Sequence, residues 1–296
     1  MTEIEYELMP SKRKHRMIIY IVLILLSLPV IIPYAWLVIG AFAADLRGVI
    51  PTGFTLSNWK FLIEPIQVPG AGVKYPDIWL VTFNTLFIAV ATTVLTVFLS
   101  AFGGYALSRV KFAGRGLFLA LTMVLRAFPG IALLVALFYV INMFRLYGNP
   151  WSVILSKTAL MLPLGLWVMK GFFDTISWEI EMAALVDGLS RIKTFFKIML
   201  PLVRPGLAAL SILAFIYGWS EYILVVVFLP TEKSWTLTMY LQRLAYQAFA
   251  GEVSVAGITR PMIIAVGLWY MIPIILFFIF AQKYLLRVAV GGVKGV

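Results

Sequence analysis

Apolar residues along the chain gather into six long runs, at 17–42, 78–107, 117–144, 151–173, 206–229 and 257–286. Each is too long for a strand, and each supplies the roughly 20 residues that a helix needs to cross a bilayer. Shorter polar stretches separate them. Several runs are longer than a bilayer requires, so tilt or extension beyond it is expected. The first holds Pro29 and Pro33, where a bend is expected. The pattern predicts an all-α membrane protein with six transmembrane helices.

Composition narrows the classes further. Of 296 residues, 62% are hydrophobic and only 12% charged, with a mean hydropathy of +0.99. Soluble domains carry about 25% charge, so a soluble enzyme, a disordered tail and a disulfide-stapled secreted fold are all disfavoured. There is no cysteine, which removes thiol catalysis and cysteine-ligated metals. The single histidine, His15, lies in the basic N-terminal stretch, far from any membrane serine. No Gly-x-x-x-x-Gly-Lys occurs, so the chain is read as non-catalytic, without a cofactor of its own; ATP and magnesium would belong to a partner. No internal repeat supports an inverted-repeat secondary transporter.

The net charge of +11 is read by position. Lys and Arg number fifteen in the segments 12–16, 109–115, 170–204 and 283–294, against six in 47–74, at Arg145 and in 233–243. By the positive-inside rule, the first group is cytoplasmic and both termini lie inside. Nucleic-acid binding loses its support. A basic start before an apolar stretch also suggests a signal peptide, but the run far exceeds a signal core of about 7–15 residues. The expected organisation is a basic cytoplasmic segment 1–16, a membrane domain 17–289 and a cytoplasmic tail 290–296. Outside, residues 43–77 read as a Pro/Gly-punctuated loop with a short helix at 57–63 capped by Ser57. Residues 236–249 show helical spacing at Leu237, Tyr240, Leu241, Leu244 and Phe249, fitting either an interfacial helix or a docking surface. Trp36, Trp79, Trp151 and Trp269 are read as interface anchors.

The inner loop between the fourth and fifth runs carries most information. Ser177 can cap a helix with Glu179 and Glu181 in its first turn, and Asp187-Gly188 should end it. Ser190 can cap a second helix, in which Ile192, Phe195, Phe196 and Met199 share a face until Pro201 ends the run. Ala183 and Ala184 give the first helix a small side that another protein surface can approach. Residues 182–201 resemble the cytoplasmic signature of ABC-importer permeases, Glu-Ala-Ala, a glycine, nine residues, then Ile-x-Leu-Pro. Ala183, Ala184, Asp187, Gly188, Ile198, Leu200 and Pro201 match in register, while the signature glutamate falls on Met182. Either apolar packing replaces it, or the neighbouring Glu181 reaches across.

Three further segments strengthen the resemblance. Arg109-Val-Lys-Phe-Ala-Gly-Arg resembles the turn after the second span of sugar permeases, and Trp219-Ser-Glu-Tyr222 resembles their Trp-Asn-Glu-Phe/Tyr. The tail Gly291, Gly292, Val293, Lys294, Gly295 is too small and flexible for a helix, and is similar to the end of the MalG-like half of maltose/trehalose-type carbohydrate permeases. The resemblance implies the type I importer permease fold. It implies that Met182 to Pro201 seats in a cleft of an ATPase subunit and that the tail inserts between two such subunits. It also implies a second, MalF-like permease, two MalK-like ATPases, an external binding protein and an oligosaccharide cargo such as maltose or trehalose. Glycerol phosphate or another carbohydrate is the alternative cargo.

Charges inside a span cost about 2.5–3.5 kcal/mol each on insertion scales, so each calls for a reason. Glu221 either lines a translocation path or pairs with Arg126 or Lys157. Arg126 precedes Pro129-Gly130, where the helix should kink, and either pairs within the bundle or meets substrate. Asn84 either bonds a neighbouring helix or meets substrate. A stand-alone secondary transporter would use Glu221 and Arg126 as an ion site.

Overall fold

The computed structural model describes residues 10–68, 73–249 and 258–291. The chain opens with α1 (Pro10–Ala41), which runs through both Pro29 and Pro33. Two small antiparallel hairpins follow, β1 (Asp45–Arg47) with β2 (Ile50–Thr52), and β3 (Gln67–Val68) with β4 (Val73–Lys74), flanking a 3-10 turn at Ser57–Leu62. Ser57 is the first residue of that turn rather than its cap. Its own N–H is taken by the Thr55 hydroxyl, so Thr55 orders the approach instead.

The body is helical. It comprises α2 (Ile78–Arg109), α3 (Arg115–Ala127), a 3-10 turn at Gly130–Leu133, α4 (Leu134–Met143) and α5 (Pro150–Asp174). There follow α6 (Trp178–Val186), α7 (Arg191–Thr194), a π-turn at Phe195–Met199 and α8 (Leu200–Leu202). The chain continues through α9 (Arg204–Trp219), α10 (Ile223–Phe228), a 3-10 turn at Glu232–Ser234, α11 (Leu237–Phe249) and α12 (Arg260–Gly291). Local chemistry sets the starts. Asp77 accepts from the N–H groups of Trp79 and Leu80, and Asn149 accepts from that of Trp151, with Pro150 as the first helical residue.

Among the described residues four helices are long and apolar enough to cross a membrane, or six if each of two sharply bent pairs counts as one span. The first bend, 98°, lies between α3 and the 3-10 turn before α4, at the expected Pro129-Gly130. The second, 77°, separates α8 from α9 at Val203. The run 206–229 is not one helix: α9 stops at Trp219 and α10 restarts at Ile223, with Ser220, Glu221 and Tyr222 between them.

Two apolar clusters hold the bundle. One gathers Ile78, Ile88, Ile154, Trp219, Phe228 and Tyr240 with the loops at the N-terminal ends of α2 and α5. The other gathers Ala101, Met169, Phe173, Phe195, Met199 and Leu210 at the opposite end. Between them, buried positions on α2 and α5 turn polar: Thr92, Thr93, Thr96 and Ser100 on one, Ser156, Lys157 and Thr158 on the other. Small residues let the backbones meet on either side of this level. A Cβ on Gly104 would stand 2.8 Å from the Lys170 backbone nitrogen, and one on Gly218 2.9 Å from the Ala89 Cα.

Backbone atoms cannot step aside as a side-chain tip can. Gly218→Ala is therefore expected to cost about 1–3 kcal/mol by overpacking, read as a lower Tm of the protein in detergent. Gly171→Ala is the control. A Cβ there meets nothing within 4 Å, so removing a helical glycine should leave stability unchanged or raise it by about 0.5–1 kcal/mol.

Candidate functional site

The inner-loop segment forms a hairpin of two short helices. Ser177 accepts from the Glu179 N–H at 3.3 Å and Ser190 from the Lys193 N–H at 3.4 Å, as their N-cap positions lead one to expect. The turn between them is a Schellman motif. The Gly188 N–H bonds to the Leu185 carbonyl and the Leu189 N–H to that of Ala184, with Gly188 at φ +84°. A side chain is disfavoured there by conformation, not by crowding, since among the described residues nothing lies within 4 Å of a Cβ on Gly188.

The tip faces outward. Ala183, Val186, Asp187, Gly188, Ser190, Arg191 and Ile192 are exposed, Val186 to 86% and Ile192 to 71%. Met182 is half-buried and Ala184 buried, so only one alanine of the pair shows a small face outward. The expected apolar face divides: Phe195 and Met199 are buried, whereas Ile192 and Phe196 are exposed. The reason is the π-turn at Phe195–Met199, in which the Leu200 N–H reaches back to the Phe195 carbonyl and rotates the following residues. Pro201 does not end the run. The wider π-turn makes room for its ring, and the helix runs on to Leu202 before breaking at Val203. Ile198, Leu200 and Pro201 are half-buried at this root.

The hairpin's carboxylate points into the protein. Glu181 is 2% exposed; its Oε2 lies 3.0 Å from the Arg109 Nε, and the Tyr105 hydroxyl donates to its Oε1 at 2.6 Å. Glu181 is thus committed within the chain and does not stand in outward for the residue at Met182. Arg109 Nη2 also donates to the carbonyls of Phe173 and Ile176, beyond which Trp178 places its ring 5.4 Å from the guanidinium carbon. Sequence reasoning missed Tyr105 and the role of Arg109. The one available signal was that they lie four residues apart, on one face of a helix.

Deeper in the bundle, Glu221 and Lys157 form an ion pair 9% and 4% exposed, with Oε2 and Nζ at 2.5 Å. Of the alternatives open for Glu221, the Lys157 pairing is the one observed. Its Oε1 accepts from the Leu224 N–H and so starts α10, which explains why the run breaks here. Lys157 Nζ also stands 3.2 Å from the Tyr217 ring centroid. Asn84 spends both amide hydrogens on the carbonyls of Lys233 and Trp235, tying the outer loop to α2 rather than facing a ligand. The Arg126 side chain lies outside the described residues, as do Gly292, Lys294 and Gly295, while Gly291 is the last residue of α12 and not part of a loose tail. A cavity of about 480 Å3 opens between α5, α9 and the Pro129 bend, lined by residues including Phe128, Met161, Leu164, Tyr217 and Ser220.

At the end of the bundle opposite the hairpin, α11 is packed down by Leu237, Met239, Tyr240 and Leu244. The Tyr75 hydroxyl donates to Gln247 Oε1 at 2.8 Å, and burial pushes that phenol up to about 12, so it stays a donor. Three of the four expected anchor indoles are pinned: Trp36 donates to the Val49 carbonyl, Trp79 to that of Leu62, and Trp269 to the Thr82 hydroxyl.

Residues 97–288 match the family described as the binding-protein-dependent transport system inner membrane component. The chain is 30% identical over 248 residues to the inner membrane ABC transporter permease protein YcjP of Escherichia coli, covering 83% of each. It is 28% identical over 284 residues to the trehalose/maltose transport system permease protein MalG of Thermococcus litoralis, covering 95% of this chain and 97% of that one. In fold it is similar to a chain of a bacterial ABC transporter involved in importing the acidic polysaccharide alginate. That match has a TM-score of 0.73 and 22% identity, and covers 93% and 98% of the two chains.

The buried pair gives a test of its own. Lys157→Met leaves Glu221 buried without its counter-charge and is expected to lose about 3–5 kcal/mol. Lys157→Met combined with Glu221→Gln should recover most of that loss. Thermal unfolding of the single and double variants in detergent reads the difference.

Proposed function

The chain belongs to the family of inner membrane components of binding-protein-dependent transport systems, and on that footing we propose that it is the permease subunit of an ATP-driven sugar importer. The cargo is an oligosaccharide such as maltose or trehalose, supported by the similarity along nearly the whole length of a trehalose/maltose permease. Glycerol phosphate or another carbohydrate is the alternative. The chain crosses the cell membrane six times with both ends inside, a reading that rests on the placement of its Lys and Arg residues. Residues 17–289 make the membrane domain and 290–296 a tail that contacts the ATPases. Its partners are a second, MalF-like permease, two MalK-like ATPase subunits and an external binding protein.

One observation carries the coupling part of this reading. The hairpin 177–201 is fastened at its root by buried groups and bare at its tip, where Ala183, Val186, Asp187, Gly188 and Ile192 are exposed. An exposed apolar tip on an anchored stem suits a lever seated in another subunit's cleft. Met182, Ala183, Ala184, Asp187, Gly188, Ile198, Leu200 and Pro201 are assigned to it. Closure of the ATPases moves this lever, the lever rotates the helices joined to its root, and the cavity between the permeases opens outward. Hydrolysis resets it inward. The 480 Å3 cavity beside Tyr217 is this chain's candidate share of the path. Glu221 acts there as scaffold, holding α10 and Lys157, which removes the main support for a stand-alone ion-driven transporter.

Gly188→Ala and Gly188→Phe share the positive-φ penalty, about 1–2 kcal/mol, but differ in bulk, and nothing in this chain occupies that space. In proteoliposomes holding the whole complex, Gly188→Phe is expected to abolish binding-protein-stimulated uptake, while Gly188→Ala retains a substantial share. Full stimulated transport by Gly188→Phe would refute the lever assignment. Disaccharide binding to the external binding protein decides the cargo.

A further inference from the structure

The root of the hairpin is built around one side chain. Arg109 is the last residue of α2, and its planar guanidinium engages three parts of the chain at once. Nη2 donates to the carbonyls of Phe173 and Ile176, at 3.0 and 2.7 Å, in the last turn of α5 and just beyond its end. Nε faces the Glu181 carboxylate of α6 at 3.0 Å. Tyr105, one turn earlier on α2, holds the other oxygen of that carboxylate, and the Trp178 ring covers the guanidinium. The Arg109 and Glu181 side chains are 7% and 3% exposed, so water screens the pair little.

The hairpin is held in a second way as well. The Phe195 ring packs against Phe102, Tyr105 and Phe173, with centroids 4.7 to 6.2 Å apart. Those contacts are apolar and non-directional, so they keep the hairpin attached without fixing its angle. The bonds from Arg109 Nη2 to the two carbonyls and from the Tyr105 hydroxyl to Glu181 do fix it, because each has a preferred distance and direction, and the Arg109–Glu181 ion pair holds α6 against them.

We infer that Arg109, with Tyr105 and Glu181, is the positioning element that carries movement of residues 177–201 into α2 and α5, so that hydrolysis by the ATPases is converted into transport. This rests on the permease reading above and adds to it a named path for the force. It also explains the inward carboxylate: Glu181, unlike the exposed Glu179 and Asp187, works on its own chain.

The test measures radiolabelled trehalose or maltose moved per ATP hydrolysed, in proteoliposomes holding the complete complex and its binding protein. Arg109→Ala should leave the complex assembled through the Phe195 contacts and lower that ratio by about tenfold, within the usual range of coupling between sites. Arg109→Lys keeps a cation for Glu181 but loses the fork, and should fall between the two. Tyr105→Phe deletes one hydroxyl from a folded chain and should lower the ratio by about threefold, the low end of what one hydrogen bond contributes. This variant decides the matter if Arg109→Ala fails to assemble. An unchanged ratio in assembled Arg109→Ala, or in Tyr105→Phe when Arg109→Ala does not assemble, overturns the inference while leaving the permease reading intact. Absence of binding-protein-dependent transport by the unsubstituted complex overturns both.

Discussion

A charge taken into an apolar helical bundle must bring its counter-charge with it, and that constraint organises this protein. Burying an isolated ion costs far more than any packing nearby can return, whereas a hydrogen-bonded pair is tolerated. Among the described residues two buried ion pairs stand in the interior, each with further hydrogen bonds to its members. Lys157–Glu221 lies between the two apolar clusters, and Arg109–Glu181 lies where α2 meets the inner hairpin. Each pair joins residues distant in sequence and fixes which helices are neighbours. Each also shapes the backbone around it. Glu221 starts α10 and so breaks the fifth apolar run, and Arg109 ties the end of α5 to α2 through the carbonyls of Phe173 and Ile176.

The division into two clusters follows from the same economy of polar groups. Threonine and serine hydroxyls at the middle level bury little apolar area, so hydrophobic burial contributes least there. Close backbone approach at Gly104 and Gly218 supplies dispersion contact in its place. The outer cap is tied separately: Asn84 and Thr85 of α2 hold residues 233–237, and Tyr75 holds α11. One long helix therefore reaches from the outer cap to the inner hairpin, with a distinct polar attachment at each end.

What the sequence discloses of this arrangement is mostly local. Ser177, Ser190 and Gly188 announce their caps and turn because the signals lie within four residues of the groups they satisfy. The kink at Pro129-Gly130 is legible for the same reason. Ser57 misleads because it already lies inside the turn, its own N–H held by Thr55 two residues earlier. The π-turn is not legible, since a helix that absorbs one extra residue leaves the apolar spacing almost unaltered while moving Phe196 to the surface. Nor is the partner of Glu221 decided by pattern. Lys157 stands 64 residues away, and only the packing of α5 against the chain after α9 selects it over Arg126.

The displaced glutamate shows how a one-residue offset changes the chemistry of a surface. Successive residues of a helix point about 100° apart. When a helix lies on a protein body, that angle separates an outward side chain from an inward one. Here the acidic residue occupies position 181 and turns to Arg109, leaving the half-buried Met182 where the importer signature has its glutamate. The tip keeps Asp187 at the turn and the cations Arg191 and Lys193 beyond it, and its nearest apolar groups are Val186 and Ile192. A surface so composed offers apolar contact at its centre and charge only at its rim. The acidic side chain is turned inside instead, where its ion pair with Arg109 and its bond from Tyr105 tie the hairpin to α2.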